Sequence, residues 1–313
     1  MKRAFLFPGQ GAQMVGMGKD IYEKYEVARK IYDEAEKISG IEVKKICFEG
    51  PEEELNKTEN TQIAILTTSL AILEVLKENG VEARFTTGLS LGEYGALIYS
   101  GILSFEEGIK LIQKRGKYMG TMLPKEQFSM VAVIGLESEK IEEVCEELSK
   151  QGKFVVPANY NCLVQTVISG EKAAIQEAME ALKEKGAKRV IELKTSGPFH
   201  TVKLIDAKNA YEKELEKAKF NEFTSIKVIK NIDGKYYEKE DNMKEILAKH
   251  IISSVRFDKT IELMKKEEID EYIEIGPGKV LTGFIKKDNK EANVFNINNV
   301  ETLESYLEKV GKK

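Results

Sequence analysis

The sequence predicts an α/β protein, with a mostly parallel sheet covered on both faces and a smaller unit inserted into it. Three observations predict this. Strand-like runs alternate with helical ones in the first and last thirds of the 313-residue chain. The middle, from about 127 to 195, has its own order, βαββαβ. A G-x-S-x-G turn, Gly88 to Gly92, joins a short β-like run to a helical one.

In chain order, AFLF at 4–7 reads as a buried strand ending in the glycine-rich PGQGAQ. Residues 60–78 read as a long, largely buried helix that stops at Gly80. ARFTTG is a short strand into the Ser90 turn, and LGEYGALIYSG is the helix after it. Ser104 and Glu107 predict a capping box for a helix over 105–122, and Pro124 is a natural break. FSMVAVIG, FVVPANYN, QTVISG and AKRVIEL then read as strands, with amphipathic helices in ESEKIEEVCEELSKQ and EKAAIQEAMEALKEKG. That order is the ferredoxin-like split unit. It divides the chain into a large domain of residues 1–124 and 196–313 and a small domain of residues 125–195. The α/β pattern then resumes. DAKNAYEKELEKA, NMKEILAKHIIS and TIELMKKEE are helical; IKVIKN and EYIEIGP are strands. GKVLTGFIKK is a helix, NVFNI a last strand, and a final helix begins at Thr302. The charged KKDNKE stretch at 286–291 reads as a solvated loop.

Composition narrows the function. Hydrophobic residues make up 42% and charged residues 32%, with a net charge of -4, as expected of a soluble globular protein. No basic block interleaved with aromatics points to nucleic acid. The apolar runs are too short to span a bilayer, and the apolar start of MKRAFLFPGQ stops at Pro8, too early for a signal peptide. Cys47, Cys145 and Cys162 are odd in number and lack C-x-x-C spacing, which suits a reducing cytoplasm better than a disulfide framework or a cysteine-based zinc site. Only two histidines exist, His200 and His250, so no three-histidine metal site can form.

The Ser90 turn has the form of a nucleophile elbow, in which small flanking residues permit a strained strand-to-helix turn. A serine hydroxyl needs a base. His200, in the SGPFHT loop after the inserted unit, is the better placed candidate. His250 sits near a predicted helix end, where it can simply interact with the helix terminus. The N–H of Leu91 is the usual first oxyanion donor in an elbow, and the PGQGAQ turn is a candidate for the second. Arg115 falls on the apolar face of the 105–122 helix, beside Leu111, Ile112, Tyr118 and Met119. A guanidinium there needs an anion, either an internal Asp or Glu or a ligand carboxylate.

FPGQGAQ, GLSLGEY, QKRG, NYN…Q…ISG and SGPFH occur in the order and spacing of the malonyl-CoA:acyl-carrier-protein transacylases, and the sequence resembles that family over roughly 3–305. The resemblance implies an α/β-hydrolase-like large domain. It implies Ser90 as the acylated nucleophile, His200 as its base, and backbone N–H groups of Gln10 and Leu91 as the oxyanion hole. Arg115 would pair with the malonyl carboxylate. Gln62, Asn161 and Gln165 match positions lining or supporting the pocket, and the backbone carbonyl of His250 would orient His200. The implied partners are malonyl-CoA and acyl carrier protein, with no metal or other cofactor. An acidic carrier protein implies a local basic docking patch. Three positions depart from the family pattern: Leu89 replaces a histidine, NCLVQ at 161–165 replaces NSPGQ, and His250 stands where a glutamine is frequent. The rival functions are a serine esterase or thioesterase, a non-catalytic carrier-protein-binding subunit, and an acyltransferase serving a polyketide synthase in trans. Arg115 separates the first from the rest, because a plain esterase has no use for it.

Overall fold

The computed structural model describes residues 1–122, 128–195 and 197–311. The Pro124 break and Ser196 lie outside the described residues.

The chain opens with β1 (Arg3–Phe7), α1 (Lys19–Lys24), α2 (Glu26–Ser39), α3 (Val43–Phe48), α4 (Glu52–Leu55) and α5 (Thr58–Glu78). β2 (Phe85–Gly88), α6 (Gly92–Tyr99) and α7 (Phe105–Thr121) follow. The middle contains β3 (Phe128–Ile134), α8 (Ser138–Lys150), β4 (Val155–Cys162), β5 (Gln165–Glu171), α9 (Lys172–Glu184) and β6 (Arg189–Glu192). Then come α10 (Ile205–Lys217), β7 (Lys227–Val228), α11 (Met243–His250), β8 (Val255–Arg256) and α12 (Phe257–Lys266). β9 (Glu271–Ile275), α13 (Val280–Asp288), β10 (Val294–Ile297) and α14 (Val300–Lys309) complete the chain.

The large sheet has the order β10-β9-β1-β2-β7, and every neighbouring pair is parallel. Its middle strand explains why AFLF carries no polar residue. Side chains alternate across a strand, so Phe5 and Phe7 pack into the layer that holds α5 and α6. Ala4 and Leu6 pack on the other face with Phe257, Ile261, Leu281 and Phe284 from α12 and α13. A strand buried on both faces reads as a continuous apolar run.

The second sheet is mixed, with the order β6-β3-β5-β4-β8. β3, β4, β5 and β6 pair antiparallel, whereas β4 and β8 pair parallel. Alternation again separates two faces. Val131 and Val133 pack with Ile141, Val144, Ile175 and Leu182 of α8 and α9. Met130 and Ala132 face the other way, into a cleft against the large sheet.

Several expectations need correction. α1 to α4 were not anticipated, and neither was β8, which comes from beyond the inserted unit yet completes its sheet. Two further contacts bind β8 to β4. Ser254 Oγ donates to Pro157 O at 2.7 Å, and the Arg256 guanidinium carbon lies 4.2 Å from the Tyr160 ring centroid. Only half of the capping box at Ser104 exists: its hydroxyl accepts from Glu107 N–H, while Glu107 Oε2 accepts from Lys219 N–H instead. The last helix begins at Val300 and carries a complete box between Asn299 and Thr302. The KKDNKE stretch starts inside α13, and Lys287 Nζ donates to Gln165 Oε1 at 2.7 Å.

Candidate active site

β2 ends at Gly88 and α6 begins at Gly92, so Ser90 occupies a very short turn. Both glycines are sterically required. A Cβ on Gly88 would lie 2.1 Å from the Gly92 carbonyl carbon, and one on Gly92 would lie 2.1 Å from Phe7 O. Ser90 itself has φ of 54°, a left-handed conformation that costs a non-glycine residue of order 1 kcal/mol or more. Asn231, in the loop after β7, holds this strained turn from behind. Its Oδ1 accepts from Ser90 N–H at 2.7 Å, and its Nδ2 donates to Gly88 O at 2.7 Å.

His200 also has a positive φ, 60°, in its loop before α10. Its Nε2 lies 2.8 Å from Ser90 Oγ, and its Nδ1 lies 3.0 Å from the carbonyl oxygen of His250. A carbonyl only accepts, so Nδ1 carries the proton and Nε2 is free to accept from the serine hydroxyl. Burial pushes the His200 pKa well below 6.5, reinforced by the His250 ring and the Arg115 guanidinium. The two imidazoles stack with centroids 5.0 Å apart.

Arg115 is fully buried. Its Nη1 donates to Gln62 Oε1 at 2.8 Å and its Nη2 to Ser90 Oγ at 3.0 Å. Its Nε has no acceptor among the described residues. Nor does any described carboxylate form an ion pair with it, so the internal-acid explanation for its place on an apolar face finds no partner here. What remains is a charged donor beside a nucleophile that lines a cavity of about 470 Å³.

Gln10, Gln62, Leu91, Asn161 and Gln165 line that cavity together with Ser90 and His200. Among the described residues, neither the Gln10 nor the Leu91 N–H donates to a protein acceptor. Gln62 is buried behind Arg115, so it supports the guanidinium as well as lining the wall. Asn161 and Gln165 come from the opposite wall, on β4 and β5, and the buried Asn161 Oδ1 has no partner among the described residues. Leu89 lines the cavity where the resemblance would place a histidine. Sequence reasoning missed Asn231, and it missed Glu93 and Tyr237 behind it. Glu93 stands inside GLSLGEY, three residues after the serine, but a helical Glu gives no sign of full burial.

This arrangement can form and break an acyl ester on Ser90 while holding an anionic end of the acyl group. Comparison with known proteins points the same way. The model of the acyl transferase domain family matches residues 4–306. The malonyl CoA-acyl carrier protein transacylase of Bacillus subtilis is 40% identical over 303 residues, covering 97% of this chain and 95% of that protein. The crystal structure of the transacylase of the same name from Clostridium perfringens superposes with a TM-score of 0.95 at 43% identity, covering 99% of this chain and 98% of that one. A malonyl-transacylase solved in complex with its type II polyketide acyl-carrier protein superposes with a TM-score of 0.94 at 35% identity, covering 99% of this chain and all (100%) of that one. The chain therefore belongs to the acyl transferase domain family and, within it, to the malonyl-CoA:acyl-carrier-protein transacylases.

Proposed function

We propose that this enzyme transfers malonyl from malonyl-CoA to the phosphopantetheine thiol of acyl carrier protein, in fatty-acid synthesis, through a malonyl ester on Ser90. One observation carries the reading: a fully buried arginine without an internal carboxylate partner among the described residues, 3.0 Å from the hydroxyl of a serine–histidine pair. In the first half-reaction Ser90 Oγ attacks the thioester carbonyl and its proton passes to His200 Nε2. The tetrahedral oxyanion is held by the N–H groups of Gln10 and Leu91. The intermediate collapses, the C–S bond breaks, and His200 returns the proton to the leaving CoA thiolate. In the second, His200 takes the proton from the carrier-protein thiol, the thiolate attacks the ester, and the proton returns to Ser90 Oγ. Arg115 holds the free malonyl carboxylate throughout, supported by Gln62. Asn161 and Gln165 line the far side of the acyl group. The carbonyl of His250 fixes the His200 tautomer.

The large part reads as α/β-hydrolase-like, formed by residues 1–124 and 196–313, and residues 125–195 read as a ferredoxin-like domain. Two observations support the second assignment: the antiparallel order β6-β3-β5-β4 and a separate core beneath it. Three free, buried cysteines support a reducing, cytoplasmic setting. No helix among the described residues is long and apolar enough to cross a membrane. Malonyl supply to a polyketide carrier protein is the second reading, favoured by the similarity to a transacylase bound to such a carrier.

The test is the mass of the intact protein after brief mixing with malonyl-CoA. One malonyl group should be added per chain, and a chain that turns over malonyl-CoA without ever carrying the adduct would refute the ping-pong reading. The pH profile supplies a second prediction. The base must be neutral to accept the proton, and a lowered pKa keeps it neutral further into acid. The acylation rate should therefore stay flat down through pH 6.5 and fall only at lower pH. Stopped-quench acylation across that range checks this, and a midpoint at or above pH 6.5 would contradict the burial of His200.

A further inference from the structure

Glu93 is completely buried in the first turn of α6, behind the elbow. A carboxyl with no exposure is costly unless donors surround it. Here two donors and one imidazole converge on it. Glu93 Oε1 accepts from Tyr237 OH at 2.7 Å and from Asn231 N–H at 3.2 Å. His250 Nδ1 lies 3.0 Å from Oε2, in an oblique electrostatic contact rather than an aligned hydrogen bond. Desolvation, reinforced by the Glu93 carboxyl, pushes the Tyr237 pKa well above 10.0, so its hydroxyl stays a donor.

Two of these partners each hold one member of the reacting pair. Asn231 clamps both sides of the elbow, through Ser90 N–H and Gly88 O. His250 presents the carbonyl that accepts from His200 Nδ1. The nucleophile and its base come from loops 110 residues apart in sequence, and both have left-handed backbones. Their 2.8 Å contact is therefore not a local consequence of either loop. We propose that Glu93 is the positioning residue that keeps the two in register, one carboxyl oxygen acting on Ser90 through Asn231 and the other on His200 through His250. A glutamate side chain spans both partners: one oxygen accepts from Asn231 N–H and the other lies against the His250 ring. This rests on the reading of Ser90 and His200 given above.

The experiment compares Glu93→Ala and Glu93→Gln by two readouts: pre-steady-state acylation by malonyl-CoA, and labelling of Ser90 by a small fluorophosphonate. The second needs no malonyl chemistry, so it still tests Glu93 if the assigned substrate were wrong. Glu93→Ala should slow both by about a hundredfold, the cost of misplacing reacting groups by about an ångström. The KM for malonyl-CoA should change by less than about threefold, because Arg115 and the cavity wall are untouched. Glu93→Gln keeps the length and one acceptor oxygen, and its amide can donate to the imidazole in its other tautomer, so it should recover most of the rate. A folded Glu93→Ala enzyme with near-normal rates, or a Glu93→Gln enzyme as slow as Glu93→Ala, would overturn the proposal.

If Glu93→Ala fails to fold, Asn231→Ala and His250→Ala carry the test. The latter keeps the backbone carbonyl. Each cuts one arm, so their combined loss should fall short of the product of the single losses. Losses that simply multiply would mean that the two arms are independent and that Glu93 does not join them.

Discussion

Replacing Ser90 by alanine abolishes the malonyl adduct and lowers transfer by a factor on the order of 10⁴ or more, as removal of a serine nucleophile does where no other group can take its place. Among the described residues, no cysteine can take its place. The three cysteines are buried away from the cavity lining, and burial pushes the Cys47 thiol up to about 12. Peptide mapping of the wild-type adduct should place it on Ser90; an adduct on any other residue would end the assignment. The same position makes a separate point about stability. Ser90→Ala and Ser90→Gly lose the same hydroxyl contacts to His200 and Arg115, but only glycine accepts φ of 54° without strain. The glycine variant should be the more stable of the two by about 1 kcal/mol, read from denaturant midpoints.

Arg115→Ala should reduce malonyl transfer by about a hundredfold or more. Placing the malonyl carboxylate in a buried site without its partner forfeits a charge-assisted pair worth a few kcal/mol. Acetyl-CoA has no carboxylate to pair, so its transfer should fall much less, and the ratio of the two rates is the measurement. Equal losses would make Arg115 structural. Arg115→Lys should not restore malonyl transfer. The guanidinium serves Gln62 and Ser90 from two different nitrogens and has no acceptor for Nε among the described residues, whereas an ammonium is a single point donor on a different stem.

The parts of the site that were legible in the sequence are those where chemistry dictates residue type at short spacing. Gly88 and Gly92 announce a turn with no room for a Cβ at either position, and an arginine among Leu111, Ile112 and Met119 contradicts its own helix face. The period-2 and period-3.6 patterns likewise placed most strands and the long α5. What lay hidden was the support. Asn231 is 141 residues from Ser90, and an asparagine at a strand end looks like any turn residue. Glu93 sits in a helix that begins directly after the elbow, where an acidic first turn is ordinary. α1, α3 and α4 are only six, six and four residues long, too short to show a period, whereas α2 has 14 residues and buries Ala28, Tyr32 and Ala35 along one face, a period that the sequence does carry. β8 has two residues, too few to show any period, and pairs with a strand almost a hundred positions earlier.

That short strand links the two walls of the cavity. β8 belongs by sequence to the part of the chain that carries α11 and α12, yet it is the fifth strand of the opposite wall. It also ties back to the elbow's support, since Arg256 N–H donates to Asn231 O at 2.7 Å. The backbone that completes one wall of the cavity therefore also braces the residue that clamps the nucleophile. Coenzyme A and acyl carrier protein both offer the same phosphopantetheine arm. One cavity can therefore serve both half-reactions of the proposed transfer, and telling donor from acceptor is left to what lies beyond the arm.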